Sequence, residues 1–338
     1  KESIFSDLNN LKVVTTTSEE YATCFGFTQE EVFTALEEFQ LAGQKDAVKQ
    51  WYDGFTFGSQ RDIYNPWSIT NYLKEKKLLA YWASTSSNDL INRLIQTSKP
   101  DVKEFMEELL NEREIVLNFD EQIVFDQLET KENAIWSLMV ASGYLKIDKI
   151  EYRGILHVPW YHLKITNLET LGMFSEMFVG WFQNTRSNYN AFIKAMLCGN
   201  IKEMNAYMNE VALATFSSFD TGSHPSGRTQ PERFYHGFVL GLLVELRDQY
   251  EVRSNRESGY GRYDVMLIPR QKNQLAFVLE FKVYDAQEEL KLEDTVQSAL
   301  VQIEEKDYDT ELIERGISKS KIRHYGFAFE GKRVLIGE

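Results

Sequence analysis

The sequence predicts an α/β sandwich at the C-terminal end of the chain, preceded by a mainly α-helical region. Three observations lead there. From residue 231 onward, helical and strand-like stretches follow one another in an order that packs a sheet between helices. Within that part, residues 275–283 read LAFVLEFKV, apolar at seven of nine positions and rich in the types that favour strands, so this strand is covered on both faces. Upstream, to about residue 129, apolar side chains recur mostly at the helical period.

The elements follow in order. Thr28 precedes Glu31 by three positions, with Val32, Leu36 and Phe39 as an apolar stripe, which starts a helix within residues 28–51. Asp53-Gly54 and Gly58-Ser59 are turn signals between aromatic runs and predict a short hairpin; Asn65-Pro66 then opens a helix with Pro66 in its first turn. Residues 132–184 read as a helix ending near Gly143, a strand pair around Gly154 and Pro159, and another helix. That order is compatible with a winged-helix-like module over residues 131–216; no helix rich in Arg or Lys marks a DNA-reading element, and structural packing is the competing account. Residues 188–216 add two helices, and residues 217–230, dense in Ser, Gly and Pro, form a linker. The region 231–338 then gives a helix over 231–249, a strand near 250–254, a glycine turn in ESGYGRYD, strands at 263–268 and 275–283, a helix from about 286 to 306, and a last strand in RHYGFAFEGKRVLIG. A mainly helical region, 1–130, precedes these parts.

Composition bounds what such a chain does. With 338 residues, 43% of them hydrophobic and 13% aromatic, it has material for two or three folded domains. No apolar run approaches the roughly 20 residues of a membrane span and no secretory leader opens the sequence, so membrane partners are not expected and a cytoplasmic location is the default. Cys24 and Cys198 lie far apart without a C-x-x-C partner, which argues against a disulfide scaffold or structural zinc; both are expected as buried free thiols. The net charge of -14 is uneven, with -11 on residues 1–224 and -3 from residue 225 onward, so a local basic groove remains compatible with the C-terminal part. No G-x-x-x-x-G-K-[ST] occurs, and no phosphate-cradling nucleotide site is assigned.

The chemistry concentrates around two charges in the 275–283 strand. Alternation puts Glu280 and Lys282 on one face with residues 276 and 278. Asp264 opens the strand YDVMLIP sixteen residues earlier, so antiparallel pairing brings it beside Glu280. Two carboxylates and an ammonium near a core cost several kcal/mol each unless compensated. A divalent cation, Mg²⁺ or Mn²⁺, is the natural compensation, held by Asp264, Glu280 and the carbonyl of Phe281, with Lys282 orienting water or stabilising phosphate charge. Glu257 is near enough in sequence to join the acids, while Arg256 and Arg262 are candidates for backbone phosphates and Lys306 is a further candidate for nucleic-acid contact. On the following helix Gln302 and Lys306 lie one turn apart, with Tyr308 nearby; Glu232 and His236 are one turn apart on the first helix. The plainer accounts are a structural ion pair at Glu280 and Lys282, a solvated turn at Glu257, exposed helix positions at Gln302 and Lys306, and a packed His236. His157 and His162 flank a hairpin and suggest no zinc site.

At these residues the chain resembles the PD-(D/E)XK nuclease superfamily, whose signature is an acid, a spacer and E-x-K. FYHGFVLGLL, SNRESGYGRYD, LEFKV and QIEEKDY together look like the nuclease domain that follows an AAA-ATPase-like region in one intracellular family, and YDGFTFG, IYNPWSI and YWASTSSNDLI look like the end of that region. The resemblance implies a restriction-endonuclease-like mixed sheet between helices and metal-dependent hydrolysis of phosphodiesters. DNA is the expected substrate, with RNA as the other nucleic-acid option, and the catalytic roles fall to Asp264, Glu280 and Lys282. It also suggests Glu232 as a first-helix acid ligand and Gln302 as a supporting polar residue, while the spacing of Gln302 and Tyr308 departs from the tighter Q-x-x-x-Y of some relatives. The phosphate-binding motif of the ATPase part is expected before Lys1, so ATP hydrolysis is not expected of residues 1–338. A nuclease fold that binds nucleic acid or protein without cutting is the alternative.

Overall fold

The computed structural model describes residues 13–83, 88–98, 100–121, 133–182, 186–219, 229–258, 261–271 and 273–338; of residues 100, 215–219, 229–236, 255–258 and 261–263 it describes the backbone alone. The chain divides into two units, residues 1–95 with 105–176, and residues 96–104 with 177–338. Among the described residues no helix is long and apolar enough to cross a membrane.

The first elements are β1 (Phe27–Thr28), α1 (Gln29–Glu38), α2 (Lys45–Tyr52), β2 (Phe55–Phe57), β3 (Gln60–Tyr64), α3 (Pro66–Glu75), α4 (Asp89–Thr97), α5 (Pro100–Leu110), β4 (Ile115–Leu117), α6 (Ala134–Ala141), β5 (Leu145–Arg153), β6 (Val158–Ile165) and α7 (Leu168–Gly180). Their starts follow the local chemistry. Thr28 and Glu31 close a capping box on α1, and the Asn65 side chain accepts from the N–H of Trp67 at 2.9 Å ahead of α3, with Pro66 in the first turn. Val32, Leu36, Val48, Tyr52, Tyr64, Ile69 and Tyr72 pack into one core cluster. Here the strands form two antiparallel sheets, ordered β1-β3-β2 and β4-β6-β5. Glu169 is buried in this unit, where it accepts from the Ser68 hydroxyl at 2.8 Å and the Trp82 N–H at 2.6 Å.

The second unit contains α8 (Arg186–Cys198), α9 (Ile201–Phe219), α10 (Thr229–Leu246), β7 (Tyr250–Ser258), β8 (Gly261–Pro269), β9 (Ala276–Val283), α11 (Leu292–Glu305), α12 (Thr310–Glu314), β10 (Ile322–Glu330) and β11 (Arg333–Gly337). Its five-stranded sheet has the order β11-β10-β9-β8-β7, with β9 and β10 parallel and the other neighbours antiparallel, so the sheet is mixed. One face packs Met266, Ile268, Ala276, Val278 and Ile322 against Ile303 of α11, Tyr308, and Leu312 of α12. On the other, Phe281 and Phe327 meet Phe238 of α10, and Phe192 of α8 meets Phe238 and Phe327. Helices therefore cover both faces, which is why β9 reads as an almost continuous apolar run.

Two features fix this sandwich. Gly326 of β10 pairs with Glu280, and a Cβ added there would sit 2.8 Å from the Val296 carbonyl oxygen and 3.2 Å from the Ala299 methyl, so glycine lets α11 close onto the sheet beside the charged residues. At the β11 margin, Asn205 and Asn209 of α9 each make a two-way pair with the backbone. Asn205 donates to the Ile336 carbonyl and accepts from its N–H, both at 2.8 Å; Asn209 does the same with Val334 at 2.7 and 2.9 Å. These amides, one helical turn apart, satisfy backbone groups two residues apart on a strand.

Several expectations are corrected. The helix expected from about 286 begins at Leu292, because Asp285 to Lys291 is held as a loop: Glu289 accepts from the Asp285 N–H and the Thr295 hydroxyl, and Asp294 accepts from the N–H groups of Leu290 and Lys291. The single last strand is a hairpin, β10 and β11, turning at Gly331 with φ +57°. α9 continues to Phe219, beyond the expected start of the linker at 217, while residues 220–228 lie outside the described residues. Cys24 and Cys198 are free but exposed rather than buried, the second because it ends α8 on its solvent side before Gly199.

Candidate active site on the mixed sheet

Strand pairing assembles the charged residues. β8 and β9 run antiparallel with Val265 opposite Leu279 and Met266 opposite Val278, so the alternation that turns Met266 and Val278 toward α11 turns Asp264, Glu280 and Lys282 the same way. The Asp264 carboxylate accepts the Phe281 N–H at 2.7 Å, a side chain taking a bond that a neighbouring strand would otherwise make. From the helix above, Gln302 joins the other two. Its Oε1 accepts from Lys282 Nζ at 2.8 Å, and its Nε2 donates to Glu280 Oε1 and, at 3.2 Å, to the Tyr308 hydroxyl oxygen. Only this amide orientation matches donors with acceptors, since the reverse would set an NH₂ group against an ammonium.

Glu280 is 3% exposed, and its Oε2 has no hydrogen-bond partner. Burial, and then the charge of Asp264, push its carboxyl up to about 8, against the opposing pull of Lys282 and the hydrogen bond from Gln302. Tyr308, 1% exposed, has a phenol raised by burial and placed against the same amide. A buried carboxylate oxygen without a donor beside a second carboxylate is the environment a hard divalent cation satisfies. Asp264, Glu280 and the backbone oxygen of Phe281 would offer oxygen donors, the ligand chemistry that suits Mg²⁺ or Mn²⁺. Among the described residues no group of three or more His, Cys, Asp or Glu side chains converges on one point, so the remaining positions would fall to water and phosphate oxygens.

The other expected residues are placed differently. Gln302 and Lys306, one turn apart, separate: Gln302 is half-buried over the sheet, while Lys306 is the exposed cap residue at the end of α11. In the β7–β8 hairpin the backbone register sets Glu257 opposite Arg262 and Arg256 opposite Tyr263; the side chains of Glu257, Arg256 and Arg262 lie outside the described residues. Glu232 and His236 sit on the backbone of α10, and their side chains also lie outside. His162 lies 2.8 Å from Glu114 and 3.5 Å from Glu151, and His157 is exposed.

Two contributors escaped the sequence reading. Gly326 had no local signal, since its role depends on what crosses it. The pair of His324 Nε2 and Asp309 Oδ1, 2.7 Å apart with Asp309 4% exposed, ties β10 to the segment after Tyr308. An aspartate directly following a buried tyrosine was the available clue.

Comparison with known proteins is consistent with this geometry. Searches of curated proteins and of solved structures returned no match. Residues 230–338 match the family model described as the PD-(D/E)XK nuclease superfamily, whose members are generally nucleases that typically use divalent metals. The matched span runs from α10 to β11, so the part of the chain with the mixed sheet and with an acid, Glu and Lys on one face is the part that is similar to that superfamily.

Proposed function

We propose that the domain over residues 231–338 hydrolyses phosphodiester bonds of DNA with Mg²⁺ or Mn²⁺ at Asp264 and Glu280. The observation that carries this is the buried, partnerless Oε2 of Glu280 beside Asp264, on the sheet face that also presents Lys282. A bound divalent ion supplies Lewis-acid polarisation of the phosphate and a water of lowered pKa. Asp264 and Glu280 hold that charge in place. Lys282, a compact cation tethered by Gln302, orients the attacking water or meets charge on the phosphate. Gln302 fixes the distance between Lys282 and Glu280, and Tyr308 fixes Gln302.

The assay is plasmid nicking with Mg²⁺ or Mn²⁺. Asp264→Ala and Lys282→Ala are expected to abolish it, and nicking that survives equally in both would exclude the assignment. The competing reading is a nuclease fold that binds nucleic acid or protein without cutting. In that case calorimetry finds no divalent-ion binding above background, and the domain acts in binding alone. The remaining extents are part of the same proposal. Residues 1–130 are read as the end of an AAA-ATPase-like region and residues 131–216 as a winged-helix-like module, ahead of the domain over 231–338.

A further inference from the structure

The β5–β6 hairpin has a rooted base and an apolar tip. Leu145, Ile147, Tyr161 and Leu163 at its base are buried, whereas at the turn Ile155 is 97% exposed, Leu156 86%, Tyr152 62% and Val158 37%. Four large apolar side chains are exposed within seven residues, Ile155 and Leu156 together at the turn and Tyr152 and Val158 on opposite faces of the strand pair by its register, a local concentration beyond the scattered exposure of an ordinary surface. The turn is sharply defined, with Gly154 at φ +69° and His157 at φ +48°, and the His157 N–H bonds to the Gly154 carbonyl at 3.2 Å. Beside it the Arg153 guanidinium lies 4.4 Å from the centre of the Trp160 ring and 2.9 Å from Glu151, which holds a cation flat against the strand pair next to the apolar turn.

Charge selects the partner. Residues 145–165 carry Lys146, Lys149, Arg153 and Lys164 against Asp148 and Glu151, a net positive element on a chain of net charge -14. An arginine beside two branched apolar side chains on a narrow turn is the composition that proteins insert into the minor groove, where the apolar groups part a base step and the arginine meets the groove. A two-residue tip also suits a groove about 6 Å wide. We propose that the Ile155-Leu156 turn is a wedge for the minor groove of duplex DNA, with Arg153 as its electrostatic contact. The proposal deepens the nuclease reading and rests on it for the class of substrate.

The test uses the whole chain in EDTA and a labelled duplex of about 30 base pairs carrying 2-aminopurine, read by anisotropy and by base emission. The Ile155→Ser/Leu156→Ser double variant changes exposed positions only, and it is expected to bind about tenfold more weakly and to lose the rise in 2-aminopurine emission. Arg153→Gln is expected to lower the slope of log affinity against log salt by about one. With Mg²⁺ added, the double variant should raise KM and leave kcat unchanged. Equal affinity and equal base emission for wild type and double variant would overturn the wedge, whatever plasmid nicking shows. So would tip-dependent binding to phosphatidylserine vesicles without any change on DNA. Tip-dependent DNA binding by a chain that does not nick plasmid upholds the wedge and rejects the nuclease reading.

Discussion

Replacing Glu280 by glutamine separates the energetic cost of its charge from its geometry. Glutamine keeps the size and the contact with Gln302 but carries no ionisable group. In the folded wild type the carboxyl holds its proton until about pH 8, whereas in the unfolded chain it loses it near 4.5. Between these values the folded state binds the extra proton, so metal-free wild type loses stability as pH rises through the window and levels off above it. At about 1.4 kcal/mol per pH unit the window bounds the effect at on the order of 5 kcal/mol. Urea unfolding of the full chain in EDTA at pH 5, 7 and 9, followed by a tryptophan-independent probe such as far-ultraviolet dichroism, measures it. Glu280→Gln is expected to show a smaller fall between pH 5 and 9, the gap from wild type reaching a few kcal/mol. Saturating Mn²⁺ should close the gap by stabilising wild type alone, since a cation takes the place of the proton. Parallel pH profiles in EDTA for the two proteins would refute the idea that Glu280 is desolvated against Asp264.

Other perturbations reach different parts of the same construction. Gln302→Leu removes the bridge between Lys282 and Glu280 and should lower nicking activity or Mn²⁺ affinity by about 10–100-fold while thermal stability stays within a few degrees. Gly326→Ala forces a methyl to 2.8 Å from the Val296 carbonyl oxygen, and denaturant unfolding should record a loss of about 1–3 kcal/mol. Asn205→Ala with Asn209→Ala strands four backbone groups of β11, and hydrogen exchange at Val334 and Ile336 should accelerate before the rest of the sheet responds.

What was legible in the sequence is what depends on neighbours along the chain. The alternation in LAFVLEFKV placed Glu280 and Lys282 on one face, and a turn separating two strands placed Asp264 opposite; both follow from the two-residue repeat of a strand. The capped starts of α1 and α3 were equally local. Features that depend on distant partners were hidden. Whether Gln302 or Lys306 turns inward is decided by the approach of α11 across Gly326, which lies farther along the chain in β10, and helical spacing alone treats the two alike. The same holds for Tyr308, whose spacing from Gln302 looked irregular because it lies beyond the end of α11, yet whose hydroxyl returns to the Gln302 amide. The exposure of Cys24 and Cys198 ran against the usual burial of a thiol because each sits where its own turn or helix end faces outward, a matter of orientation and not of residue type.

The asparagine pairs on α9 bear on how this molecule meets others. A sheet border normally invites continuation by a foreign segment, which is how fibrils grow and how many peptides dock. Here a helix answers the Val334 and Ile336 main-chain groups with amides that copy the polarity of a missing strand. Recruitment by lateral zippering at that rim would first have to peel the helix away, so the β11 border of the sheet is guarded against continuation by a foreign strand.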